Sequence, residues 1–223
     1  MQKGRWLSIL QNKEKAGDFP LAKVPLGWEE SGEVVFSHRK DRADRYCHTC
    51  VTGAQRKAFV METVKSLAVA YGEGKASFLV LSPHREYAKL LELKKADVTV
   101  PYLLSERQFS AMKNLANAQA SARKENPRLP KFFVVIDGLE ELPFLPKDNA
   151  FTFLRKWVDE LSGGAEIITA VDFKGSIFAG FEGAFVGVGN SLVSADETGK
   201  ADVAYVGDGC VLDYPQAIRY TLS

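Results

Sequence analysis

The chain has 223 residues, 46% hydrophobic and 26% charged, with a net charge of +1. This is the make-up of a globular domain with a sizeable core, and it lacks the overall basic field that marks many nucleic-acid binders. Apolar runs such as FFVVI and SFLVL are too short to cross a bilayer, the first residues lack the apolar centre of a secretory signal, and three cysteines make no disulfide framework, so the expected setting is a reducing cytoplasm without direct membrane insertion by this chain.

In chain order, LSIL is a short apolar run and GEVVFS reads as a strand. SHRKDRADR carries four basic and two acidic residues, Asp41 and Asp44, which makes it a solvated connection before a phosphate-backbone contact. YCHTCVTG is β-rich and ends in Gly53. From Lys57 the pattern turns helical, with Val60, Val64, Leu67, Ala68 and Tyr71 on one stripe and Gly72 and Gly74 as stops. ASFLVLS is a buried-strand candidate, EYAKLLELKK a helix, and VTVPYLL a strand or extended segment. Ser105 and Gln108 fit a capping box opening a helix to about Arg123, with Phe109, Met112, Leu115 and Ala116 on one face.

KFFVVIDG is the clearest strand, because five successive apolar residues require burial on both faces. NAFTFLRKWVDEL is an amphipathic helix stopped by Gly163-Gly164, with Phe151, Leu154, Trp157, Val158 and Leu161 as its core stripe, and AEIITAVD is another buried strand. After Gly183 the texture is β and turn: AFVGVG, SLVSA, ADVAYVG, CVLDYP, AIRYTL. Strands alternating with helices over residues 46–172 predict a mostly parallel sheet covered on both faces. Gly53, Asp137 and Asp172 then fall together at the carboxyl edge, where such sheets bind ligands.

Two stretches bear on chemistry. CVTGAQRKAFV has the outline strand, glycine, helix of a phosphate loop, G-x-x-x-x-G-K-[ST]. Gly53 matches the first glycine, and Ala54, Gln55, Arg56 and Lys57 follow. The last three positions are Ala58, Phe59 and Val60, which offer no charge to phosphate and no hydroxyl to magnesium. A helix N-terminus still favours an anion, and Arg56 or Lys57 could supply charge from other positions. An ordinary strand-to-helix turn fits the same residues. In FFVVIDGLEEL, Asp137 stands where such a protein orders magnesium, but it equally suits a chain turn after a strand. The following glutamate that would polarise water is replaced by Gly138, and Glu140 and Glu141 are offset.

Read in order with PLGWEESGEVVF, SFLVLSPHREYAKL, EIITAVDFKGS and GNSLVSADETGKADVAYVGDG, these stretches resemble the motor domain of the FtsK/SpoIIIE family of DNA translocases and type VII secretion ATPases. The resemblance spans roughly residues 25–220, leaving 1–24 as an N-terminal extension before a 25–223 domain. It implies a RecA-like P-loop NTPase fold: α/β, a mostly parallel sheet with helices on both faces, and a β-rich C-terminal region. It also implies ATP and Mg²⁺ as cofactors, with Gly53, Ala54, Gln55, Arg56, Lys57, Ala58, Phe59 and Val60 at the nucleotide and Asp137 as metal ligand and catalytic residue. Homo- or hetero-oligomeric ring subunits, and DNA or a secretion or division partner, are the partners it implies.

The chain departs from that family at three places. The loop lacks its second glycine, lysine and hydroxyl; Gly138 replaces the glutamate; and Val171-Asp172-Phe173 stands where Thr-Gln-Arg would sense nucleotide. Three losses of the groups that stabilise transferring phosphate lead to a degenerate, non-hydrolysing domain acting in assembly, regulation or DNA or protein contact. The alternative is an active ATP-dependent translocase with an atypical loop. From another class comes a thiol or zinc module at Cys47-His48-Thr49-Cys50, opposed by the extended strand, in which residues i and i+3 point to opposite faces. A capping or packing role is expected of His48.

Overall fold

The computed structural model describes residues 24–31, 33–37, 48–93, 96–101, 105–145, 147–170, 190–207, 210–211 and 216–220. Residues 1–23, the connection 38–47 with Cys47, and the segment 171–189 with Val171, Asp172 and Phe173 lie outside them.

The strands are β1 (Pro25–Trp28), β2 (Val34–Phe36), β3 (His48–Thr52), β4 (Ala76–Leu81), β5 (Asp97–Thr99), β6 (Lys131–Asp137), β7 (Glu166–Ala170), β8 (Asn190–Ala195), β9 (Lys200–Gly207), β10 (Cys210–Val211) and β11 (Gln216–Arg219). They form one sheet in the order β2-β1-β11-β9-β8-β3-β7-β6-β4-β5, with β10 paired to β9. Every pairing from β8 across to β5 is parallel. Beyond β8 the sheet continues antiparallel through β9, β11, β1 and β2. The expected parallel sheet and β-rich C-terminal region are thus two halves of one sheet.

The alternation of side chains along each strand divides the core. Phe78, Val80, Phe133, Val135, Ile168 and Val51 face one side. Leu79, Leu81, Phe132, Val134, Ile136 and Ile167 face the other. Both sides are covered, which is why β4, β6 and β7 read as unbroken apolar runs.

Helix α1 (Arg56–Tyr71) covers the first face. Its predicted stripe, Val60, Val64, Leu67, Ala68 and Tyr71, is buried. Gly72 closes it at φ +72°, its N–H donating to the Ala68 carbonyl at 3.2 Å. Helices α2 (Glu106–Glu125) and α3 (Lys147–Leu161) cover the second face. Ser105 Oγ caps α2 by accepting from the Gln108 N–H at 3.3 Å. The buried face of α2 runs through Phe109, Ala116 and Ala120, whereas Leu115 is 41% exposed. At 3.6 residues per turn Leu115 lies about 120° around the helix from Phe109, so it belongs off the stripe. On α3, Leu154, Trp157, Val158 and Leu161 are buried, and Trp157 Nε1 donates to Asn117 Oδ1 of α2 at 2.8 Å. The side chain of Phe151 lies outside the described residues.

EYAKLLELKK is a 3₁₀ segment, Arg85–Glu92, and not the expected α-helix. Its two buried side chains, Tyr87 and Leu90, are three residues apart, the spacing that stacks in a three-residue turn. Among the described residues of VTVPYLL, Val98 and Thr99 join a strand, the short edge strand β5.

Candidate functional site

Parallel pairing brings the carboxyl ends of β3, β6 and β4 to one edge of the sheet, with β7 between β3 and β6. Gly53 follows β3, Asp137 ends β6, and Ser82-Pro83-His84 follows β4. Gly53 and Asp137 thus share an edge, as the sequence predicts.

The loop after β3 contains only Gly53, Ala54 and Gln55, because α1 begins at Arg56. Gly53 has φ +94°, and an added Cβ would run into the carbonyl oxygen of Ala195 on β8. The turn spends its own polar groups: Gln55 N–H donates to the Ala195 carbonyl at 3.4 Å and Arg56 N–H to the Gly53 carbonyl at 3.2 Å. Ala54 is exposed, while Gln55, Lys57 and Ala58 are half-buried. Phe59 and Val60 are wholly buried under the sheet, with Phe59 edge-on to Tyr220 at 5.0 Å. The eight loop residues are therefore divided between a tight turn, a helix surface and the core.

Arg56 points inward from the first turn of α1. Its Nε donates to Asp137 Oδ1 at 3.1 Å, and its Nη2 donates to Glu141 Oε1 at 3.1 Å. The Asp137 side chain is fully buried and that of Arg56 is 9% exposed. Tyr87 O–H donates to Asp137 Oδ2 at 3.0 Å. Lys57 reaches outward to Glu86 at 3.8 Å, a surface pair of little energetic weight. Burial pushes the Asp137 carboxyl above its ordinary value, against the opposing pull of Arg56, His84 and the Tyr87 hydroxyl. The same burial, with the Asp137 charge beside it, raises the Tyr87 phenol, which stays a donor.

Gly138 turns the chain with φ 72° and ψ 27° and starts a 3₁₀ turn, Leu139–Glu141, that returns Glu141 to Arg56. An added Cβ on Gly138 would lie 2.7 Å from His84 Nε2. His84 is placed by its own N–H, which donates to Ser82 Oγ at 3.1 Å. Its Nε2 then stands 3.4 Å from Glu141 Oε1 and 3.6 Å from Asp137 Oδ2. Tyr87 and His84 are the site residues that sequence reasoning missed, and Glu141 is one it set aside as offset. The one signal for Tyr87 and His84 was position: SPHREY directly follows a buried strand, on the edge that carries Gly53 and Asp137.

Magnesium takes six oxygens at about 2.0–2.1 Å and usually keeps several waters. Each Asp137 oxygen already accepts a hydrogen bond, Oδ1 from Arg56 and Oδ2 from Tyr87, and the Arg56 guanidinium stands where a cation would have to approach. The residues present do not fit the metal that the resemblance implies. A cavity of about 720 Å³ lies instead at the opposite edge, lined by Arg123, Lys124, Lys131, Phe132, Gly164 and Glu166 among others.

The thiol and zinc reading rests half on Cys47, outside the described residues. Cys50 is buried in β3, and burial pushes its thiol up, away from the thiolate that reactivity and metal binding need. Among the described residues no group of three or more His, Cys, Asp and Glu side chains is placed to hold a metal ion. His48 is fully buried, with Nε2 2.8 Å from Thr169 Oγ1 of β7. Burial lowers its pKa to about 3, so the imidazole is neutral and packs as part of the sheet.

The sheet and its covering helices define an α/β fold of RecA-like architecture. No family model matches the chain, and no curated protein matches it. Solved structures do. A protein titled "ATPase" shares 16% identity at a TM-score of 0.58, with 97% of this chain and 94% of that one covered. The cytoplasmic domain of the type VII secretion ATPase EccC from Thermomonospora curvata gives a TM-score of 0.60 at 12% identity, covering 93% of this chain and 27% of that one. EssC (ATPases 2 and 3) from Geobacillus thermodenitrificans gives 0.56 at 12% identity, covering 89% and 44%. At these identities the likeness is one of fold. This chain corresponds to less than half the length of the EccC and EssC chains. Among the described residues no helix is long and apolar enough to cross a membrane.

Proposed function

We propose that this chain is a RecA-like domain of the FtsK/SpoIIIE type that neither hydrolyses nor requires ATP and acts through its surfaces. The single observation that carries this reading is the Arg56 guanidinium bridging Asp137 and Glu141 where metal and phosphate would meet. Three further features support it: a three-residue turn in place of a phosphate cradle, Phe59 and Val60 committed to the core, and Gly138 in the glutamate position beneath His84. Electrostatic stabilisation of the transferring phosphoryl group is the main catalytic demand of this chemistry, and those groups are missing or already paired.

The fold's likeness to single domains within EccC and EssC suggests the role. Such a domain serves as a structural or regulatory subunit beside active ATPase domains in a cytoplasmic oligomeric ring, in contact with DNA or with secretion or division components. Thermal unfolding with ATP and ADP, with and without Mg²⁺, tests the nucleotide half of this reading. A ligand at 100 times its Kd stabilises a fold by about 2.7 kcal/mol, a shift of several degrees that is easily read. No shift is expected at millimolar nucleotide. A saturable rise in Tm that Asp137→Ala abolishes would overturn the proposal.

A further inference from the structure

We infer that Arg56 is a tethered cation that takes the place of a metal ion and holds the carboxyl edge of the sheet in one state, whatever nucleotide or metal is present. This rests on the non-hydrolysing reading above and extends it from lost chemistry to a positive role. The bridge is two-pronged: Nε engages the end of β6 through Asp137, and Nη2 engages the following 3₁₀ turn through Glu141. Because Arg56 is the first residue of α1, the bridge fixes that helix to both.

Tyr87 ties the 3₁₀ segment after β4 to the other oxygen of Asp137, and His84 closes over Gly138 against both carboxylates. Helix α1 and the segment after β4, from distant parts of the chain, therefore meet on one buried carboxylate at the end of β6. A planar guanidinium can span two carboxylates with fixed geometry, whereas an ammonium acts as a single compact charge. A metal ion could perform the same bridging, but it would come and go with ligand; a side chain does not. The arrangement converts a ligand-set junction into a permanent one.

The test uses the full chain as wild type, Arg56→Gln, Arg56→Lys and the double variant Arg56→Gln with Asp137→Asn. Thermal unfolding is followed with and without millimolar Mg²⁺ or Mn²⁺, and Mn²⁺ binding is read by its electron paramagnetic resonance signal. Wild type should show no cation-dependent shift and no bound Mn²⁺. Arg56→Gln should unfold about 10 °C lower, and saturable Mn²⁺ binding should recover part of that loss. Arg56→Lys should fall between the two, and the double variant should lose the Mn²⁺ response.

An Arg56→Gln protein as stable as wild type overturns the inference, as does one indifferent to cations. Should that variant not fold, Arg56→Lys carries the test: wild-type stability in it overturns the two-pronged bridge. Failure of the non-hydrolysing reading would look different, as nucleotide-dependent stabilisation of wild type itself.

Discussion

Asp137→Ala should lower the unfolding free energy by about 3–5 kcal/mol, the usual cost of removing one partner from a buried ion pair. The Asp137 side chain is fully buried and accepts from both Arg56 and Tyr87. Its loss leaves a guanidinium that is 9% exposed without its buried carboxylate, and Glu141, which also accepts from it, is 43% exposed and screened by water. Asp137→Asn keeps the volume and one acceptor oxygen, so it should lose roughly half as much, the cost of weakened rather than absent hydrogen bonds. Denaturant unfolding of the three proteins measures the series. If Asp137→Ala were within about 0.5 kcal/mol of wild type, as a surface substitution would be, the cluster would not be holding the edge together.

Gly138→Glu restores the residue that the FtsK/SpoIIIE pattern carries after its aspartate, and it should destabilise the fold by about 3 kcal/mol without restoring turnover. Two causes add. The backbone sits at φ 72°, a conformation that costs an L-residue roughly 1–2 kcal/mol. The new Cβ also starts 2.7 Å from His84 Nε2, so the imidazole must leave its place beside Asp137 and Glu141, and a third carboxylate arrives in its stead. His84→Ala should relieve part of the penalty, and a double-mutant cycle should show coupling between positions 84 and 138. Independent, additive effects would refute the steric account. On the proposed reading a single reversion at position 138 would not rebuild an ATP site, because His84 already occupies the space the new side chain needs.

The parts of this fold legible in the sequence are those whose physics is local or repetitive. Strands β4, β6 and β7 announce themselves because both faces are buried, so nearly every residue must be apolar. Helix α1 is readable from its stripe and Gly72, and α2 from Ser105 and Gln108. The joining of β1 and β2 to the sheet through β11 is not readable, because it pairs residues nearly 200 positions apart, such as Trp28 with Arg219.

The site divides in the same way. Gly53 and Asp137 are legible as strand-end residues on one edge. Arg56 could be counted as a nearby charge, but its direction depends on where α1 starts, and the helical pattern read from Lys57 places that start one residue late. Glu141 was dismissed as offset along an extended strand; the left-handed turn at Gly138 folds it back. Tyr87 and His84 come from another strand's exit, and only the parallel pairing of β4 with β6 brings them in.

The central claim is that an internal cation has replaced the nucleotide chemistry of this edge. Single-turnover hydrolysis with chain in excess over radiolabelled ATP and Mg²⁺ tests it most directly, since one event per site would register. The account predicts phosphate release at the rate of the protein-free blank, unchanged in Asp137→Asn. Release above the blank in wild type that disappears in Asp137→Asn would contradict it.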